Sequence, residues 1–232
     1  MEVKVRIKRS PLAREEFEID VEKDLTLLEV LYKIKEVDPT LSFRSMCRAG
    51  ICGTCAVKLN GKPVLACSTR VLPSEEEIFI EPLDGFRVIK DLVVDHEEMY
   101  LKLKRSKVWL YPSESNVRVD ERINLKSSRS WECILCGICD SVCPVLSTSS
   151  LFGGPIILTR LYKHLIDPRN ANQEATVKTL HSLKPDLCTH CMNCSYACPK
   201  RLMPEGLIRE EENLLVEKGL LQKQAGFDFL SF

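Results

Sequence analysis

Apolar residues first recur at every second position. Val3, Val5 and Ile7, then Phe17, Ile19 and Val21, stand between Lys, Arg and Glu. A period of two is that of a half-buried strand, so the two runs predict a hairpin. At Thr26 the period changes: Leu27, Leu31 and Ile34 share one helical face, Thr26 and Glu29 form a capping box, and Asp38-Pro39 ends the helix. Ala56 to Leu59 and Lys62 to Ala66 flank Asn60-Gly61, the signature of a hairpin with a type I′ turn. Residues 78–82, IFIEP, add a strand. FRVIKDLVVD then predicts a change toward helical patterning, with a domain boundary near residue 100. The polar stretch from Ser113 to Ser130 predicts a surface loop or partner contact. GPIILTRLYKHLIDPRN and EATVKTLHSLKPD carry helical spacing stopped by Asp-Pro and Pro-Asp. After Pro204, Leu207-Ile208, Leu214-Leu215 and Leu220-Leu221 recur about every seven residues, an amphipathic helix that packs on a core. The fold class is therefore α+β, with a sheet-rich unit over 1–100 and an all-α unit over 101–232.

Charge changes this picture only by exclusion. Lys and Arg together number 33, as do Asp and Glu, so no excess of positive charge draws the chain onto nucleic acid. Apolar runs such as Pro155 to Leu158 fall far short of the roughly 18 residues of a membrane span. The opening MEVKVRIKRS lacks the apolar core of a secretory signal, so the chain is expected in the cytoplasm with its thiols reduced.

The cysteines carry the chemistry. There are twelve, in three groups of four. Cys47, Cys52, Cys55 and Cys67 follow the plant-type 2Fe-2S spacing, Cys-x4-Cys-x2-Cys with a distant fourth. Cys133, Cys136, Cys139 and Cys143, and again Cys188, Cys191, Cys194 and Cys198, are each Cys-x2-Cys-x2-Cys-x3-Cys-Pro, the bacterial ferredoxin run. A disulfide framework conflicts with a reducing compartment. Four-thiolate zinc needs two pairs set apart by a longer stretch, which these groups lack. In the ferredoxin run the cysteine before proline serves the other cluster. Cys133, Cys136, Cys139 and Cys198 are thus expected to hold one 4Fe-4S cluster, and Cys143, Cys188, Cys191 and Cys194 a second, with 3Fe-4S as the alternative if Cys191 stays free. Gly50 and Gly53 lie between ligands of the first group, where a missing Cβ lets backbone N–H groups approach sulfur. No nucleophile and base stand in a triad pattern. His96, His164 and His181 read as surface or packing residues, and His190, between two ligands, either as a hydrogen-bond partner near the second cubane or as a solvent-exposed side chain.

CRAGICGTC, VIKDLVVD, ECILCGICDSVCP, the GP before LTRLYKHLIDPRN, and MNCSYACPK together resemble the iron-sulfur subunit of the succinate dehydrogenase and fumarate reductase family, nearly end to end. The resemblance implies a β-grasp plant-type ferredoxin domain and a C-terminal all-α ferredoxin-like domain. It implies an electron-transfer subunit without a dicarboxylate site of its own, fed by a flavoprotein subunit that holds FAD. It also implies a membrane-anchor or cysteine-rich acceptor subunit, a quinone or other acceptor, and a position at the inner face of the cell membrane through partners. Two departures stand out. Most members lack a cysteine at the position of Cys191, which marks an archaeal-like variant. CPVLSTSS has no aromatic residue, and Thr189 stands where relatives carry histidine, so quinone in the usual place is in question and a thiol-dependent fumarate reductase is the alternative. Glycolate oxidase-like or heterodisulfide reductase-like chains share the double run but usually lack a domain like residues 1–67.

Overall fold

The structure is a computed structural model that describes residues 2–9, 14–21, 24–113 and 116–222. β1 (Glu2–Lys8) and β2 (Arg14–Asp20) pair antiparallel with Val5 opposite Phe17. Their connection at residues 10–13, expected as a hairpin turn, lies outside the described residues. Val3, Val5 and Ile7 are fully buried, while Lys4 and Arg6 on the other face pair with Glu16 and Glu77. β3 (Leu25–Thr26) leads into α1 (Leu27–Val37), whose capping box is formed: Glu29 N donates to Thr26 Oγ1 at 3.2 Å and Thr26 N to Glu29 Oε2 at 2.6 Å. β4 (Ala56–Leu59) and β5 (Lys62–Leu65) turn through Asn60 and Gly61, both at positive φ as type I′ requires. After β6 (Arg70–Val71), β7 (Glu77–Glu81) runs parallel to β1 and closes a five-stranded sheet in the order β2-β1-β7-β4-β5. The apolar face of α1 covers it. The expected helical patterning in FRVIKDLVVD is not what forms: β8 (Val88–Lys90) and β9 (Val93–Val94) make a small hairpin. Its β-branched residues favour strand, and Asp91 turns it at φ +48°.

Asp91 is 3% exposed and needs a countercharge. Arg9, itself buried, supplies it from the end of β1, with Nε 3.2 Å from Asp91 Oδ1. The same guanidinium donates to Glu15 at 2.7 Å, to Asp38 at the end of α1, and to Thr40 at 2.9 Å, while Ser42 N donates to Asp91 at 2.9 Å. One side chain thus ties the sheet, the helix end and the chain leading to the cysteine loop.

The second half is helical. α2 (Glu97–Arg105) contains residue 100, the expected boundary, and its Met99 packs with Cys139, Ile156 and Cys194. The stretch expected as a loop holds α3 (Glu121–Trp131), capped by Asp120, which accepts from Arg122 N at 2.8 Å. Only Ser130 of α3 is buried, so the helix shows no apolar stripe. Ser130 Oγ instead donates to Thr159 O at 2.5 Å and accepts from Lys163 N at 3.2 Å. α4 (Ile138–Ser141) and α5 (Pro144–Thr148) are single turns after cysteines. α6 (Pro155–Ile166) is the centre of this half, with nine residues buried against α3, α7 (Gln173–Ser182) and the C-terminal helix. α8 (Asn193–Ala197) is short, and α9 (Pro204–Glu217) buries Leu207, Ile208 and Leu215 as its spacing predicts. Leu220 and Leu221 follow the end of the helix. The halves share packing: Cys136 and Ile138 belong to the core of the sheet, and Ile134 and Ala197 pack against it.

Replacing Arg9 by Met strands Asp91 without its charge partner and is expected to cost about 3 to 5 kcal/mol. Thr26→Ala removes one cap and is expected to cost about 1 kcal/mol. Denaturant midpoints measure both, and an Arg9→Met protein no weaker than Thr26→Ala would refute the role given to Arg9.

Candidate metal centres

The first thiol group sits on the loop between α1 and β4 and on Cys67 after β5. Backbone N–H groups already converge there: Cys47 Sγ accepts from Cys52 N at 3.3 Å and from Ala49 N and Ile51 N at 3.4 Å, and Cys67 Sγ from Gly50 N at 3.2 Å. These donors pull the Cys47 thiol down to about 6. Burial pushes Cys55 up to about 11. Arg48 lies over the Tyr32 ring at 4.9 Å and donates to its hydroxyl at 3.2 Å, which pins the loop to α1. Gly50 thus presents its N–H to sulfur as expected. Gly53 has a different part, because a Cβ on it would lie 2.9 Å from Cys136 Cβ.

The two ferredoxin runs line two cavities, and each cavity takes thiols from both runs. Cys133, Cys136, Cys139 and Cys198 line one, and Cys143, Cys188, Cys191 and Cys194 the other. The local backbones match. Leu135 and Gly137, at φ +54° and +84°, flank Cys136; His190 and Met192, at +51° and +65°, flank Cys191. The turn that aims Cys136 into its cavity is therefore repeated around Cys191. Pro144 begins α5 directly after Cys143, and Pro199 follows Cys198, so each fourth cysteine sits where the chain turns away from its own run.

Burial pushes the thiols of Cys136 and Cys194 up to about 12, Cys188 to about 11, and Cys139 well above its ordinary value. Such thiols ionise only beside a strong positive charge, which cluster iron supplies, so the donor set fits iron-sulfur clusters. Exposure differs along the chain: Cys136 and Cys139 are buried, whereas Cys191 is exposed. Among the described residues no helix is long and apolar enough to cross a membrane.

His190 does not turn toward sulfur. Its Nδ1 is 2.9 Å from Glu205 Oε1 and its Nε2 3.2 Å from Glu212 Oε2, so it staples the 188–194 loop to α9. Burial raises Glu205, but Arg209 and His190 outweigh it and hold the carboxyl below its ordinary value. His164 is a buried packing residue, pushed down to about 4 by desolvation. His96 is more than packing. It sits where the halves meet, 3.3 Å from Arg44 Nη1 through Nδ1 and tilted on Phe86 at 4.9 Å, against Gly137. Asp140, between two cysteines, was not singled out by spacing. It accepts from Ile156 N at 3.0 Å, which fixes the first turn of α6, and burial raises it to about 6.

Residues 4–101 match the family described as 2Fe-2S iron-sulfur cluster binding domain, and residues 129–202 the 4Fe-4S dicluster domain. The chain is 35% identical over 206 residues to an uncharacterized iron-sulfur protein of Methanocaldococcus jannaschii, covering 86% of this chain but only 41% of that protein. It is 35% identical over 205 residues to the mitochondrial succinate dehydrogenase [ubiquinone] iron-sulfur subunit of Dictyostelium discoideum, covering 82% of this chain and 71% of that one. Its fold matches a chain of the Mycobacterium smegmatis Sdh1 complex with a TM-score of 0.83 at 24% identity, over 94% of this chain and 97% of that one. The chain belongs to the family of succinate dehydrogenase iron-sulfur subunits. It is the electron-transfer subunit of an oxidoreductase, and its cofactors are 2Fe-2S and 4Fe-4S clusters.

The His190 staple gives a direct expectation. His190→Ala removes both bonds to α9 and frees the 188–194 loop. Iron at the last site is expected to pass to a chelator faster than in the wild type while the other two sites keep theirs, followed by electron paramagnetic resonance. Equal loss at all sites would contradict the staple.

Proposed function

We propose that Cys47, Cys52, Cys55 and Cys67 hold the 2Fe-2S cluster, Cys133, Cys136, Cys139 and Cys198 a 4Fe-4S cluster, and Cys143, Cys188, Cys191 and Cys194 a second 4Fe-4S cluster. Residues 1–100 and 101–232 are the two units that carry them. The chain relays electrons between a FAD-bearing flavoprotein subunit and an acceptor at the other end, at the inner face of the cell membrane through an anchor subunit. When bound, the clusters supply one-electron carriers whose potentials depend on ligands, hydrogen bonds and exposure.

The observation that carries this reading is the order of the three thiol groups. The loop of the first group touches that of the second through Gly53 and Cys136, and the second touches the third in the packing of Cys139, Cys194, Met99 and Ile156. The residues do distinct work along that line. N–H groups at Ala49, Gly50, Ile51 and Cys52 stabilise negative sulfur at one end. Burial of Cys136 and Cys139 keeps water from the middle. Exposure of Cys191 opens the far end to a partner. The matched turns around Cys136 and Cys191 favour four protein ligands at the last site over a 3Fe-4S cluster beside a free thiol.

For the acceptor, the first reading is a quinone held by the anchor subunit. A second, a thiol and disulfide couple on a cysteine-rich subunit as in thiol-dependent fumarate reductases, is favoured by Thr189 in the wall of the last cavity and by the absence of aromatic residues from 144–150. Anaerobic copurification of the native complex, with succinate oxidation assayed against quinone and disulfide acceptors, tests both. A flavoprotein partner and succinate-dependent reduction of one acceptor are expected; a complex that lacks flavin refutes the proposal.

Ligand exchange between the runs is tested separately. Cys198→Ser is expected to abolish the resonance of the middle cluster and spare the last, and Cys143→Ser to do the reverse. If Cys198→Ser instead removes the last cluster, each run holds its own and the assignment fails.

A further inference from the structure

We propose that Gly53 is the positioning residue that sets how closely the 2Fe-2S loop approaches the middle cluster, so that its missing side chain governs electron transfer between the two. This rests on the ligand assignment above.

Gly53 stands between the thiols of Cys52 and Cys55 at φ +73°. An added Cβ would lie 2.9 Å from Cys136 Cβ, 3.0 Å from Cys136 Cα and 3.0 Å from Ile134 O. Two of these atoms are backbone and cannot rotate aside, and Cys136 is held in the core of the sheet with Ile138. A methyl group therefore has to push the loops apart. Backbone conformation alone does not explain this glycine. Gly50, in the same loop at φ +66°, would meet only Ser68, at 3.8 Å, and Gly61 and Gly85, also at positive φ, would meet nothing. What distinguishes Gly53 is contact with a residue that carries a ligand of the next site. The path from Cys52 or Cys55 to Cys136 then crosses a single packed backbone contact. Electron tunnelling weakens steeply as such a gap opens, so the position most sensitive to one added carbon is here. Gly137, beside Cys136, is also closely packed, but against side chains outside the 2Fe-2S loop: a Cβ there would lie 2.9 Å from Phe86 Cζ and 3.1 Å from His96 Nε2.

The test uses the full chain with its clusters, in the wild type and in Gly53→Ala and Gly85→Ala. After full reduction, electron paramagnetic resonance reads the magnetic coupling between the 2Fe-2S centre and the middle cluster through relaxation of the 2Fe-2S signal; flash reduction reads their rate of equilibration. Gly53→Ala is expected to keep iron and sulfide content, to lose much of the coupling and to equilibrate several-fold more slowly. Gly85→Ala, at a comparable φ of +76° and with nothing within 4 Å of the added Cβ, is expected to keep the coupling. Wild-type coupling and rate in a fully loaded Gly53→Ala protein overturn the proposal. Should Gly53→Ala fail to retain its clusters, the wild type decides: a 2Fe-2S signal that relaxes as an isolated centre beside a reduced middle cluster overturns it. A wild type with no middle cluster at all would instead defeat the ligand assignment on which it rests.

Discussion

The two ferredoxin cavities depend on placing sulfur, at Cys136, Cys139 and Cys194, where water does not stabilise its charge. Thiols pushed to about 12 at Cys136 and Cys194 would serve as ligands only as thiolates, beside the positive charge that cluster iron would supply. The fold around the cavities is accordingly made of single turns, left-handed residues and proline stops, with regular structure kept at a distance as scaffold. Arg9 and the α1 cap hold the sheet; α6, fixed at its start by Asp140, holds the helices.

The second requirement is that three sites lie in line and close together. The halves meet this by sharing a core instead of docking as separate globules: Cys136 and Ile138 pack into the sheet while Met99 packs among Cys139, Ile156 and Cys194. Arg44, His96 and Phe86 close the seam from the sheet side. Burial in the middle and exposure at Cys191 follow from the same geometry, since a relay needs insulated steps and an accessible end.

Much of this was legible in the sequence, because its signals were local. Alternation at Val3, Val5 and Ile7, the Thr26 and Glu29 cap, Asn60-Gly61 and the apolar spacing of α6 each act within a few residues, and each formed as read. The cysteine spacings likewise identified which thiols share a cavity, as the exchange of Cys143 and Cys198 between the cavities makes plain. What failed or went unseen depends on distant partners. α3 gave no apolar stripe because it is held through Ser130 and Thr159. VIKDLVVD became a hairpin because Asp91 turns back onto Arg9, 82 residues earlier. His190 found two carboxylates on α9, and the contact of Gly53 with Cys136 crosses between the halves. No window of sequence contains such pairs.

The central claim is that all twelve cysteines are ligands and that Cys191 completes the last site. Native mass spectrometry of the chain purified without oxygen tests it most directly. The account predicts the mass of the polypeptide plus one 2Fe-2S and two 4Fe-4S clusters, about ten iron atoms in all. A freshly isolated chain with one iron fewer and a full complement of sulfide, or with zinc in place of iron, would contradict it.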